Sequence, residues 1–228
     1  MEVTMYDKLL LLPLFQGLGK EDFTAILEKV KLHFQKYGPG VCIAHQGDTC
    51  RNIIFVLKGE IHSESTDSQH GYTLEETFTS PHVIEPYSLF GMHPQYTASY
   101  YTNTDTNIVT VDKSYILSEL SKYQIFQLNY LNLLSNRAQT IYRKLWNAHI
   151  GNTYEKIANF LQLRCTNPTG KKILHIRMED LASLIDDTRI NVSKVLNELR
   201  DNELITLSRK EIYIPALEEV IKYVKNLN

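Results

Sequence analysis

Residues 177–214, RMEDLASLIDDTRINVSKVLNELRDNELITLSRKEIYI, decide the fold of this chain. Met178, Leu181, Ala182, Leu184 and Ile185 recur at helical spacing. Val192, Val195, Leu196 and Leu199 repeat the pattern shortly afterwards, so two short amphipathic helices follow one another closely. Between them stands Asp186-Asp187-Thr188. Aspartate tolerates the left-handed backbone of a sharp reversal, and threonine is a good cap for a helix starting at Arg189. After Asn202, two β-prone runs at 204–207 and 211–214 flank a polar, basic tip, Ser208-Arg209-Lys210.

Two helices, a tight turn and a basic hairpin are the parts of a winged helix-turn-helix. Once its four apolar residues face inward, the second helix presents Arg189, Ile190, Asn191, Ser193, Lys194 and Asn197 outward, with no acid in its first turns. Arginine grips guanine edges bidentately, asparagine pairs with adenine, lysine reaches guanine or phosphate, and an exposed isoleucine meets a thymine methyl. The expected DNA-binding residues are Thr188, Arg189, Ile190, Asn191, Ser193 and Lys194, with Arg209 and Lys210 on the wing reaching the phosphate backbone. Acidic and basic residues are equal in number between Lys171 and Tyr213, so segregation of charge must do what net charge does not.

The whole chain has 228 residues, 43% of them hydrophobic, and a net charge of −2. That length accommodates two modest cores, and that charge excludes wholesale polyanion binding while leaving room for a local basic face. Cys42, Cys50 and Cys165 are too few and too scattered for a disulfide framework or a metal knuckle, which fits a reduced, cytoplasmic setting. The eight histidines form no HxxxH, HExxH or haem-attachment pattern, so no metal site is expected. The apolar run at 9–12 is followed by Pro13 and is too short to span a bilayer.

In chain order, residues 6–30 read as a helical hairpin broken at Gly17-Leu18-Gly19. From His33 the pattern becomes short runs punctuated by turns, at 41–44, 53–57, 60–65, 72–78, 82–84, 98–101 and 107–111, the signature of a small antiparallel jelly roll. Residues 124–149 then form one long helix. In it Leu131, Leu134, Ala138, Ile141, Leu145 and Ala148 alternate spacings of three and four, which marks a dimer seam. Gly151-Asn152 is the hinge, 153–163 another helix, and 167–170 the turn before the winged segment. The expected class is therefore α+β: an effector-type jelly-roll domain at 1–123, a long dimerisation helix at 124–150 and a winged helix-turn-helix domain at 151–228.

This order resembles the catabolite-activator and fumarate-nitrate-regulator (Crp/Fnr) family over nearly the whole chain. The resemblance is carried by PLFQGLGKEDF at 13–23, IIFVLKGEI at 53–61 and LRDNELITLSRKEIYI at 199–214. It implies a homodimeric bacterial transcription regulator with a cyclic-nucleotide-binding-like jelly roll, acting on double-stranded DNA and RNA polymerase. In the family's recognition helix an Arg, an adjacent Glu and an Arg four residues later read the half-site. Arg189 and Lys194 match the outer two, but Ile190 replaces the Glu and removes an acceptor for cytosine. The family's nucleotide cassette is Gly-Glu-Leu followed by Arg-Ser or Arg-Thr. Here Pro86 replaces the Glu and Tyr96 the Arg, so a cyclic phosphate meets no cation and Glu85 adds repulsion.

Glu85, Tyr87, Ser88, Tyr96 and Thr97 are the expected lining of an effector pocket whose ligand the sequence does not name, and an empty roll is the alternative. Three cysteines do not suffice for an iron-sulfur cluster, no motif supports haem, and no cofactor is expected. Two competing readings are a cupin-like metal-dependent enzyme drawing on His33, His45, His62, His70 and His82, and a ligand sensor whose winged domain contacts protein.

Overall fold

Ile53, Ile54, Phe55, Val56 and Leu57 are all buried, a run that a strand sustains only when both of its faces are covered. The computed structural model describes residues 5–146 and 151–227, and the chain divides into two compact units. One is Met1–His62 with Phe78–Ala138; the other is Ser63–Thr77 with Gln139–Asn228.

The chain begins with α1 (Met5–Leu10), α2 (Lys20–Lys29), β1 (Leu32–Tyr37), β2 (Cys42–Ala44), β3 (Asn52–Lys58), β4 (Glu60–Asp67) and β5 (Tyr72–Thr79). It continues through β6 (His82–Ile84), β7 (Ser99–Thr102), β8 (Thr106–Asp112), α3 (Lys113–Ser118) and α4 (Gln124–Trp146). Then come α5 (Thr153–Arg164), β9 (Lys172–His175), α6 (Met178–Leu184), α7 (Arg189–Asp201), β10 (Thr206–Ser208), β11 (Glu211–Ile214) and α8 (Leu217–Asn226). The expected helical hairpin, jelly-roll strands, long helix and winged segment are all present.

In the first unit, one layer of the β roll has the strand order β1-β8-β3-β6, all antiparallel. Phe55 on the central strand is flanked by Val109 and Val83. Leu9, Leu12, Leu14 and Phe15 cover this sheet, with the Phe15 ring 5.4 Å from that of Phe55, which is why residues 53–57 of β3 are all apolar. β2 pairs antiparallel with β7 in the opposite layer. Between β3 and β4 the chain turns at Gly59 with φ +103°; a Cβ there would stand 2.8 Å from the Asp105 carbonyl oxygen, so both conformation and space require glycine.

α4 buries Phe126 against Phe15 at 5.8 Å and leaves Leu128, Leu131, Tyr142, Leu145 and Trp146 each more than half exposed. Of the expected seam, Leu131, Ala138 and Leu145 are exposed while Leu134 and Ile141 are partly buried. Ala148 lies outside the described residues.

The second unit has its own core, in which Ile157, Phe160, Leu161, Leu181, Val192, Leu196, Ile214 and Leu217 pack together. α5 starts on a reciprocal capping box: Asn152 accepts from the Glu155 backbone at 3.1 Å, and Glu155 accepts from the Asn152 backbone at 2.8 Å. Its sheet runs β10-β11-β9-β5, and β5 comes from the hairpin segment Ser63–Thr77. The register sets Leu74 opposite Leu174 and Glu76 opposite Lys172.

A strand at Lys172–His175, β9, is not among the runs that the sequence pattern marks, and the structure adds it to the winged unit. Lys172 on it is fully buried, with its Nζ 3.4 Å from Glu76 and donating to the Thr169 carbonyl at 2.8 Å. The first wing strand also begins at Thr206, two residues later than the apolar run suggests, because Ile205 turns into the core.

Candidate nucleic-acid interface

The reversal between α6 and α7 is made by Asp186 at φ +52°, in the left-handed region as expected. Asp187 fastens it: its carboxylate accepts from the Thr153 hydroxyl at 2.7 Å, the Thr188 backbone at 2.7 Å and the Asn191 amide at 2.9 Å. These donors, Thr153 foremost, hold the Asp187 carboxyl below the usual carboxylate range. From α5, Lys156 donates to the Asp186 carbonyl at 2.7 Å. The start of α7 is thus tied to a second helix before any ligand arrives.

α7 buries Val192, Val195, Leu196 and Leu199 and presents the opposite face to solvent, with Ile190 80% exposed. Arg189 and Lys194 project from that face. Glu179 of α6 stands 3.8 Å from Arg189, and Glu198 stands 4.0 Å from Lys194. Both pairs are solvent-exposed and therefore weak, so neither acid holds its partner firmly. The first turn carries no acid, and the helix N-terminus adds partial positive charge.

Two expected contact residues hold structural posts as well. Thr188 accepts from the Asn191 backbone at 3.2 Å as N-cap, and the Asn191 side chain is bonded to Asp187. Ser193 is half-buried and its carbonyl accepts from Asn197 at 2.8 Å. Arg209 and Lys210 sit at the wing tip, where a two-residue turn between paired Ser208 and Glu211 puts Lys210 at φ +61°. Arg177 lines one groove with Arg189 and Lys210, and a second with Arg209, Lys210 and the β4–β5 turn at Asp67 and Ser68. Its place before α6 is unremarkable in sequence, and only the hairpin and wing around it bring it beside Arg189 and Lys210.

The five expected pocket residues come together only in part. Glu85 is buried at φ +33° and its carboxylate receives five donors. They are the Thr97 backbone (2.8 Å), the Thr97 hydroxyl (2.8 Å), the Ala98 backbone (3.1 Å), the Tyr100 hydroxyl (3.0 Å) and the Ser88 hydroxyl (2.6 Å). A left-handed non-glycine residue costs about 1–2 kcal/mol. Hydrogen bonds to a charged group contribute about 1.5–3 kcal/mol each, so the bonds win. Glu85 therefore satisfies Ser88 and Thr97 where sequence reading had it repelling a ligand. Tyr96 points elsewhere, its hydroxyl 3.5 Å from the Asn52 carbonyl, and Tyr87 lies under the Arg137 guanidinium at 4.7 Å. Burial pushes the Cys50 thiol and the Tyr96 phenol up, so neither adds a second anion near neutral pH.

Among the described residues no three His, Cys, Asp or Glu side chains are grouped to hold a metal ion, and no helix is long and apolar enough to cross a membrane.

Residues 155–223 match the family model of the Crp-like helix-turn-helix domain, and residues 34–123 match that of the cyclic nucleotide-binding domain. Among solved structures, the chain is similar to the catabolite activator protein of Thermus thermophilus, at 20% identity over 95% of this chain and 100% of that one, with a TM-score of 0.52. It is also similar to the c-di-GMP-responsive global regulator CLP of Xanthomonas campestris, at 16% identity over 86% of this chain and 99% of that one, with a TM-score of 0.51. At such identities the likeness is one of fold. A comparison with curated proteins returned no match.

Proposed function

A Crp-like helix-turn-helix behind a cyclic nucleotide-binding domain makes this chain a member of the Crp/Fnr family of DNA-binding transcription regulators, and from that premise we propose how it reads DNA. It acts as a homodimer in the cytoplasm, placing two copies of α7 in successive major grooves, without a cyclic nucleotide or other cofactor. RNA polymerase is the partner that family membership suggests. The observation that carries the reading is the outward face of α7, where Arg189, Ile190 and Lys194 project over a fully buried apolar side. Arg189 and Lys194 address guanine edges or phosphates, Ile190 a thymine methyl, and Arg177, Arg209 and Lys210 the flanking backbone. Support for the dimer comes from α4, whose exposed Leu128, Leu131, Tyr142, Leu145 and Trp146 form an apolar stripe.

The test is selection of a duplex from random sequence, followed by titration at several salt concentrations. The expected site is two-fold symmetric with half-sites about one helical turn apart. Arg189→Ala should cost about 1–3 kcal/mol and relax one base position, while Arg209→Ala should lower the salt slope by about 1 without changing sequence preference. An unaltered operator affinity in Arg189→Ala at low salt overturns the reading face. A Leu131→Glu/Leu145→Glu protein that still sediments as a dimer overturns the seam.

A further inference from the structure

Glu85 is more than a satisfied core residue. Its five donors are all neutral, and two of them are the consecutive backbone N–H groups of Thr97 and Ala98, the arrangement of an anion-binding nest. Two carboxylate oxygens provide about four lone-pair sites, so these donors saturate the group. The donors come from both sides: Thr97, Ala98 and Tyr100 lie at the start of β7 and on it, and Ser88 lies on the short turn following Glu85. An L-residue stays at φ +33° only where its surroundings over-determine it, and here they do so through the carboxylate.

The turn after Glu85 is bolted to the long helix. The Tyr130 hydroxyl donates to the Pro86 carbonyl at 2.6 Å, and the Arg137 guanidinium covers the Tyr87 ring, so successive turn residues meet α4 at positions two helical turns apart on one face. Lys113 adds a bond to the Leu89 carbonyl at 2.9 Å. Whatever occupies the nest therefore sets the position of the turn against α4.

We propose that Glu85 is a tethered ligand: its carboxylate fills an oxyanion site formed by Ser88, Thr97, Ala98 and Tyr100, and so holds the 86–89 turn on α4 with no diffusible effector. Free small carboxylates are the chemical class that this site takes once the side chain is removed. Thr97 is exposed at the rim, so its donors become reachable from solvent.

Glu85→Gly deletes the carboxylate while suiting the left-handed backbone. Thermal unfolding and duplex binding are measured in sodium formate against sodium chloride of equal ionic strength. Formate should raise the melting temperature of Glu85→Gly and leave the parent unchanged. Without formate the variant should bind its duplex about tenfold more weakly, and formate should restore most of the loss. No advantage of formate over chloride, or parental affinity without formate, overturns the proposal. If Glu85→Gly does not fold, Glu85→Asp and Thr97→Val replace it, since a shorter carboxylate does not span the nest and valine removes one donor. Both should bind DNA more weakly, and unchanged affinity in both overturns it. The DNA readout rests on the regulator reading. Formate stabilisation of Glu85→Gly in a protein that selects no duplex sinks that reading and leaves the anion site standing.

Discussion

Glu85 and Glu76 are both buried carboxylates, one in each unit, and they are held by opposite means. Glu85 is met only by neutral donors. Glu76 accepts from the Thr166 and Asn167 backbones at 2.7 and 3.0 Å and faces buried Lys172. A neutral nest keeps its shape when its anion is exchanged, because no counter-charge is left behind. An ion pair has no such freedom, since removal of either member strands the other in a dry interior. The roll thus carries an exchangeable group, and the winged unit carries a fixed one.

The largest effect that sharpens this contrast is Lys172→Met, which leaves Glu76 facing an apolar side chain. It should cost about 3–5 kcal/mol in urea unfolding, and Glu76→Gln/Lys172→Met should regain most of that loss. A cost below about 1 kcal/mol would mean that the pair carries no charge, and the contrast would fail. Acid comes next. His82, stacked on Phe78 in the first unit, has its pKa lowered by burial from 6.5 to about 4. The unfolded chain therefore binds a proton that the folded one refuses, so stability present above pH 6.5 is lost as pH falls towards 4, by at most about 3 kcal/mol. The carboxyls with lowered pKa in the second unit, Asp67, Asp187 and Glu218, lose their stabilisation only further into acid. Melting curves from pH 7 to 4 should show the first unit failing first, and His82→Leu should flatten its decline; an unchanged slope would refute the assignment. Smallest is Tyr100→Phe, which removes one of five donors from Glu85 and should cost about 1.5 kcal/mol, the low end for a bond to a charged group, since four donors remain; a loss as large as that of Lys172→Met would show the nest to be as brittle as the pair.

The same two residues show how far sequence reading reaches. Strands such as β5 and the α6–α7 reversal were legible, because period-two burial, helical spacing and a left-handed aspartate are local properties. The outward face of α7 was legible for the same reason: four buried residues fix where Arg189, Ile190 and Lys194 point. Glu85 was visible but misjudged, since its partners come from Thr97, Ala98 and Tyr100 on another segment, and charge alone suggests only repulsion. Lys172 and β9 were missed because a four-residue strand containing lysine has no period of its own. Its identity as a strand depends on β5, which is distant in sequence. Arg177 and Glu179 come beside Arg189 through tertiary placement, which no local pattern encodes.

Strand β9 lies between β11 and β5, with hydrogen bonds on both sides. A gene fragment starting at Gly151 would encode every residue of the winged motif and yet leave that strand's outer rim bare. Its lysine would lose its counter-ion, and the exposed amides and carbonyls would invite pairing with another copy. Residues 63–77 are thus part of the reader in all but chain order, and excising the C-terminal part at the hinge cuts through a sheet, not between two folds.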